Sequence, residues 1–290
     1  MNRLALILVG VLGGCTCKAD PPRPSAAAGS GALPVRGADG TSGSAPFGIP
    51  AYTPGNDVPG PIAGAIADDD RTDADRKLDA GRRPGEVLAF FRIAPGQKVA
   101  ELFAGGGYTT ELVARAVGDS GKVWAHNTPE LLERIARGPL TARLARLGQL
   151  GAGKVAPVIA VERPGDAPLP AEATGLDAVL CVLTYHDLVG ARVDRAKLNA
   201  AVRAALRPGG VYGVVDHSAA AGTGARDAAA LHRIEQALVV QEVTAAGFRL
   251  DGESAALRNP ADPRDWNASP GAAAERRGTS DRFVLRFVRP

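Results

Sequence analysis

The chain has 290 residues, enough for one or two domains, and its 34 Lys and Arg against 31 Asp and Glu leave a net charge of only +3. No stripe of Lys and Arg interleaved with aromatics runs through it, so a nucleic-acid partner is not expected. Aromatics make up 4% of the residues, which leaves the core to Ala, Val and Leu.

The amino terminus has the pattern of an export signal. Asn2-Arg3 supplies a positive start, and the apolar run over 4–12 is too short to span a bilayer as a mature helix. It ends in Leu12-Gly13-Gly14-Cys15, which resembles a bacterial lipobox. Small residues there allow cleavage, and the cysteine becomes the lipidated first residue. The polar, Pro-rich tract that follows argues against a buried N-terminal helix. The expectation is a signal peptide over 1–14, lipid on Cys15, and a bacterial cell-envelope location with the membrane as partner. Thr16 rather than Asp after that cysteine points to the outer membrane, facing the periplasm. Residues 15–65 are rich in Pro, Gly, Ala and Ser and predict a disordered tether. A flexible coil of some 45 residues spans roughly 40 Å root-mean-square. The folded domain is expected over 66–290.

Helical character over 73–91 is interrupted near Arg83-Pro84, and the first strand is predicted over 98–103. A helix over 108–117 follows, then a strand over 122–125 ending at His126-Asn127. Thr128-Pro129-Glu130 starts the next helix with a hydroxyl cap, a proline and an acid, and it runs to about 147. Strands are predicted over 155–161 and 176–184, the second continuous and apolar as a central parallel strand should be. Cys181 within it is a small core residue. Asp194 caps a helix to 206, and Arg207-Pro208-Gly209-Gly210 turns into a strand over 211–215. A long helix over 226–246 and two strands over 248–253 and 282–288, an antiparallel pair, complete the pattern. The run over 259–279 is a long loop in which Trp266 either helps to lid a pocket or lies on a solvated surface. Strands alternating with helices predict a doubly wound α/β sheet, whose ligands bind outside the carboxyl ends of the strands.

Those strand ends carry the polar residues. Glu101 precedes Gly105, Gly106 and Gly107, and a helix begins at once, so a ligand can approach the backbone and unpaired N–H groups closely. An acid at that place suits a ligand with hydroxyls and an ammonium, such as S-adenosylmethionine, rather than a pyrophosphate. A dinucleotide fingerprint has Gly or Ala where Thr110 stands. His126, Asp166, His186-Asp187 and Asp216-His217 follow the other strands. His186 and His217 suit proton removal near neutral pH, with Asp187 or Asp216 to orient one of them; the alternative is that they cap and pack loops. His232, inside the predicted helix, is structural or a substrate contact. No His-x-x-x-His pair occurs and the carboxylates are scattered, so no metal site is expected.

Glu101-Leu-Phe-Ala-Gly-Gly-Gly107, Leu206-Arg-Pro-Gly-Gly210 and the two final strands resemble a class I S-adenosylmethionine-dependent methyltransferase. Thr184-Tyr-His-Asp-Leu188, Val215-Asp-His-Ser218, Leu231-His-Arg-Ile234 and Arg258-Asn-Pro-Ala-Asp262 resemble, more narrowly, a bacterial family of predicted methyltransferases. The resemblance implies a Rossmann-like, doubly wound seven-stranded sheet with a final antiparallel strand pair. It implies that Glu101 holds the methionine end of the cofactor and that the backbone from Ala104 through Gly105 to Gly107 passes beside its carboxylate and ribose. Asn127 stands where the general fold has an acid for the ribose hydroxyls, and Asp166 lies in the region that contacts the adenine edge. Phe103 replaces the first glycine of the general motif. The expected function is methyl transfer to a small-molecule acceptor, with His186, His217 and Asp187 as the catalytic group. Because S-adenosylmethionine is made in the cytosol and a lipoprotein sits outside it, the alternative is a membrane-tethered ligand-binding or scaffolding domain without turnover.

Overall fold

The computed structural model describes residues 52–151 and 153–290. The predicted signal peptide, Cys15 and most of the predicted tether lie outside the described residues. The chain packs earlier than its composition suggests. Helix α1 (Gly60–Ala67) buries Ile62, Ala65 and Ile66. The Tyr52 hydroxyl donates to Glu86 and accepts from the Gly85 N–H at 3.0 Å. The expected tether boundary at residue 65 is therefore too late. Pro61 in the first turn and isoleucines four apart give this segment an apolar helix face that the Pro/Gly/Ala-rich composition hides.

Helix α2 (Asp73–Arg82) is capped by Thr72 and ended by Arg83, which takes φ +42; Pro84 then opens α3 (Pro84–Phe90). Strand β1 (Lys98–Leu102), α4 (Tyr108–Val117) and β2 (Lys122–Asn127) follow. Thr128 caps α5 (Pro129–Leu131), which continues through a π turn into α6 (Arg137–Gly148). Next come β3 (Val158–Glu162), β4 (Leu176–Val182), the short α7 (Asp187–Gly190) and α8 (Arg195–Ala205), the last capped by Asp194. Strand β5 (Leu206–His217), α9 (Ala228–Leu231), α10 (Gln236–Ala245), β6 (Arg249–Ser254) and β7 (Arg282–Val288) complete the order.

The seven strands form one sheet in the order β3-β2-β1-β4-β5-β7-β6. The first five are parallel, and β7 runs antiparallel to both β5 and β6. One apolar core, with Ile62, Leu88, Phe91 and Leu112, covers one face; Leu198, Val202, Val239 and Phe287 belong to the core on the other. Apolar residues on both faces require two helix layers, which is the doubly wound arrangement. Because β4 lies between β1 and β5, the loops leaving these three strands are neighbours.

The predicted long helix over 226–246 is two short helices. His232 takes φ +51, and Arg233 and Ile234 turn fully inward. The Arg233 guanidinium pairs with Asp262 at 2.7 Å and donates to the Ser218 carbonyl at 3.0 Å. Tertiary pairing of one buried cation overrides the local helical pattern here.

Candidate functional site

The loop after β1 is built around backbone strain. Phe103 takes φ +52, a conformation unusual for a bulky residue, where the general motif has glycine. His126 supports it: its ring lies edge-on to Phe103 with centroids 5.0 Å apart, and its Nδ1 accepts from the Phe103 N–H at 3.4 Å. Burial holds the His126 pKa down at about 4, so the ring is neutral, with Nε2 donating to the Arg163 carbonyl at 3.1 Å.

Gly105 and Gly107 take φ +57 and +80. A Cβ on Gly105 would meet nothing within 4 Å, so this face of the loop is open. A Cβ on Gly107 would meet Leu140 at 3.0 Å and Arg143 at 3.1 Å. That side of Gly107 faces protein, which corrects the expectation that both glycines leave room for a ligand. Asn127 is fully buried, and its amide grips the loop from below, accepting from the Gly105 N–H at 2.8 Å and donating to the Gly105 carbonyl at 3.1 Å. Its bonds go to loop backbone, whereas the resemblance implies a ribose contact. Asp166 is half-buried in the turn after β3, and Ala104 is half-buried in the loop itself.

Glu101, at the end of β1, is buried and accepts a hydrogen bond from the Thr110 hydroxyl in the first turn of α4. Burial lifts its pKa to about 7, against the hydrogen bonds of Thr110 and Thr109 and the charge of Arg82. A pocket opens beside that turn, lined among others by Arg82, Leu88, Tyr108, Thr109, Leu183 and Arg282. The Arg82 guanidinium stacks on the Tyr108 ring at 4.2 Å. Arg282 donates to the carbonyls of Ser280 at 3.2 Å and Gly278 at 2.8 Å. Burial, helped by the like charge of Arg82, brings the Arg282 pKa down to about 10.

The histidines gather past β4 and β5. Asp216, fully buried, accepts from His186 Nδ1 at 2.7 Å, from the His186 N–H at 2.7 Å and from the His217 N–H at 2.7 Å. Burial would lower the His186 pKa, but the charge of Asp216 and the bonds to Asp187 and Asp216 outweigh it and lift it to about 10. The same cation helps hold Asp187 below its ordinary value, against partial desolvation. His217 bonds Ser280 Oγ through Nδ1 at 2.7 Å; burial and the His186 charge hold its pKa well below the ordinary value. His232 joins the group from the break after α9, its Nδ1 3.1 Å from His186 Nε2. Sequence periodicity placed His232 on a helix and missed this contact. The Leu231-His-Arg-Ile234 segment was singled out only by the resemblance. The loop over 259–279 closes over the break through Asp262, which accepts from Arg233, from Trp266 Nε1 at 2.7 Å and from the Asp281 N–H at 2.6 Å.

No protein-family model matches the chain, and no curated protein matches it. Among solved structures it is similar to a SAM dependent methyltransferase from Aquifex aeolicus, with TM-score 0.51 and 15% identity over 75% of this chain and 95% of that one. It is also similar to the 4+2 cyclase SpnF, with TM-score 0.52 and 16% identity over 79% of this chain and 92% of that one. At such identities the likeness concerns the fold. The chain has the class I methyltransferase fold, with its seven-stranded sheet and final antiparallel pair.

Proposed function

We propose that this protein is an S-adenosylmethionine-dependent methyltransferase acting on a small-molecule acceptor. One observation carries the reading: the open face of Gly105 lies on the loop that joins the buried acid Glu101 to the first turn of α4. An ammonium group is the partner that returns Glu101 to its charged form, and Arg82 and Arg282 suit a carboxylate in the pocket beside it. Together they match the two charges of a methionine end. The backbone of Ala104 and Gly105 borders the ribose, Asn127 fixes that backbone, and Asp166 faces the adenine side. The bound cofactor supplies a methyl group on a sulfonium; the protein supplies position and proton handling.

On the acceptor side, His217 is the proposed base. Ser280 holds its Nδ1 and leaves Nε2 for the proton of the acceptor. His186 and Asp187 form the adjoining wall, with the His186 and His217 rings 5.8 Å apart. The envelope location with lipid on Cys15 is part of the same proposal and rests on the sequence alone. The second reading, ligand binding without turnover, draws on Asn127, whose amide bonds to the loop backbone. Likeness to a cyclase also shows that this fold does not by itself mean methyl transfer.

Calorimetry with S-adenosylmethionine and its demethylated product tests the assignment. Binding that Gly105→Val weakens strongly supports it, and failure of the parent protein to bind either compound removes it. Screening phenols, amines and thiols for methyl acceptance separates the two readings. With an acceptor in hand, His217→Ala should lower turnover by roughly 10²–10⁴-fold and leave cofactor affinity unchanged.

A further inference from the structure

Three potential ligand atoms converge just past β4, from two places in the chain. His186 Nε2 lies 3.1 Å from His232 Nδ1 and 3.3 Å from Asp187 Oδ1, and His232 Nδ1 lies 3.4 Å from Asp187 Oδ1. This near-equilateral triangle has two nitrogens and one carboxylate oxygen at its corners. We propose that it is a divalent-metal site, with zinc as the ion that its geometry fits.

The lengths decide between coordination geometries. Bonds of about 2.0–2.1 Å to a tetrahedral zinc ion set neighbouring ligand atoms about 3.3–3.4 Å apart. An octahedral ion with bonds of that length would draw adjacent ligands in to about 2.9 Å. The sides of 3.3 and 3.4 Å match the tetrahedral edge, and the 3.1 Å side falls between the two lengths. A proton on His186 Nε2, by contrast, can bond at most the two sides that meet at that nitrogen and leaves the His232–Asp187 side without a bond; zinc joins all three atoms and releases that proton.

The surroundings supply what such a site needs beyond its ligands. Asp216 takes the Nδ1 side of His186 at 2.7 Å and is itself fixed by two backbone N–H groups, so Nε2 is aimed at the triangle. A carboxylate behind a ligating histidine is the usual device for fixing ring and tautomer. His232 is brought in by a left-handed residue conformation, φ +51, that breaks a helix and is locked by the buried Arg233–Asp262 pair beside it. Two carboxylates, Asp187 and Asp216, balance the charge of a divalent cation. The site is also reachable: the His186 side chain is 3% exposed, His232 32% and Asp187 49%. Three protein ligands leave the fourth position for water or a donor atom of the acceptor. The proposal does not depend on the cofactor assignment.

The test titrates the full chain with metal alone. Cys15→Ser and Cys17→Ser keep the tail thiols from competing, and prior chelation strips the protein. Calorimetry with zinc chloride should give one ion per chain at micromolar affinity or tighter, and cobalt chloride should give the intense visible band of a four-coordinate ion. His232→Ala and Asp187→Ala change partly exposed side chains, and circular dichroism should show both folded. Each should weaken zinc by at least about tenfold and remove the cobalt band, while Asp216→Asn should weaken zinc about 10–100-fold. Absence of micromolar zinc binding in the parent, or equal affinity in folded His232→Ala and Asp187→Ala, overturns the site.

Discussion

Raising the pH should destabilise the unliganded protein through one carboxyl group. Glu101 is buried, and its pKa stands at about 7 against an ordinary 4.5. The folded protein therefore holds this proton more tightly than the unfolded chain between those values. Its contribution to stability is full below pH 4.5 and is lost as pH rises through 7. The gap, 7 minus 4.5, is about 2.5 units, which at 1.36 kcal/mol per unit amounts to about 3 kcal/mol. Glu101→Gln keeps the shape of the protonated acid and cannot ionise, so it should retain that stability at high pH. In a domain of this size 1 kcal/mol shifts Tm by roughly 2–4 °C. The variant should then melt roughly 6–12 °C above the parent at pH 8.5, with the gap closing toward pH 4.5. Calorimetric scans of both proteins across that range, at constant ionic strength, read the difference and cancel the other titrating groups. Parallel Tm–pH curves would refute the reasoning, because Glu101 would then carry no perturbed proton.

The same group should couple to the proposed cofactor. A ligand ammonium favours ionised Glu101, so S-adenosylmethionine affinity should rise by up to about tenfold per pH unit between 5 and 7 and stay flat in Glu101→Gln; calorimetric titrations at four pH values check this, and equal slopes count against it. Asp262→Ala leaves the fully buried Arg233 without its carboxylate and should lower stability by about 3–5 kcal/mol in urea unfolding. A loss below about 1 kcal/mol would mean that the pair is solvated in solution. Mass spectrometry of membrane-extracted protein should find a chain beginning at lipidated Cys15, and an unmodified chain still carrying Met1 would remove the envelope proposal.

The fold was largely legible because its pattern is local. Apolar runs such as 176–182 mark buried strands, Thr128 and Asp194 mark helix starts, and the alternation of the two dictates the sheet. Charged helix faces were not legible. The sequence places Glu111 in an ordinary helix, yet its side chain is buried under Arg115, Arg143 and Arg146, the last two arriving from α6. Nor does local pattern reveal His232 or Arg233. Their helical spacing is sound, and only the distant Asp262, 29 residues along, turns Arg233 inward and breaks the helix. The convergence of His186, Asp187 and His232 is likewise not a local pattern. His186 and His232 lie 46 residues apart and meet only because β5 and the helix break bring them together.

The site divides into halves with different kinds of support. The proposed cofactor half, with Glu101, Gly105 and Asn127, is built on the strand–loop–helix unit after β1. The other half hangs on Asp216, whose two oxygens hold the His186 ring and the backbone N–H groups of His186 and His217. No feature of a parallel sheet demands a buried carboxylate there. Burying one is costly unless it is hydrogen-bonded, and these three bonds meet that need while fixing two histidines of the rim. Since the fold also occurs in a cyclase, the second half is where the chemistry of this chain will be decided. Asp216→Asn isolates it. If cofactor affinity is unchanged while metal binding and methyl transfer fall together, one carboxylate organises both. If methyl transfer survives loss of the metal, the ion is a ligand of the rim and the chemistry rests on His217 and positioning.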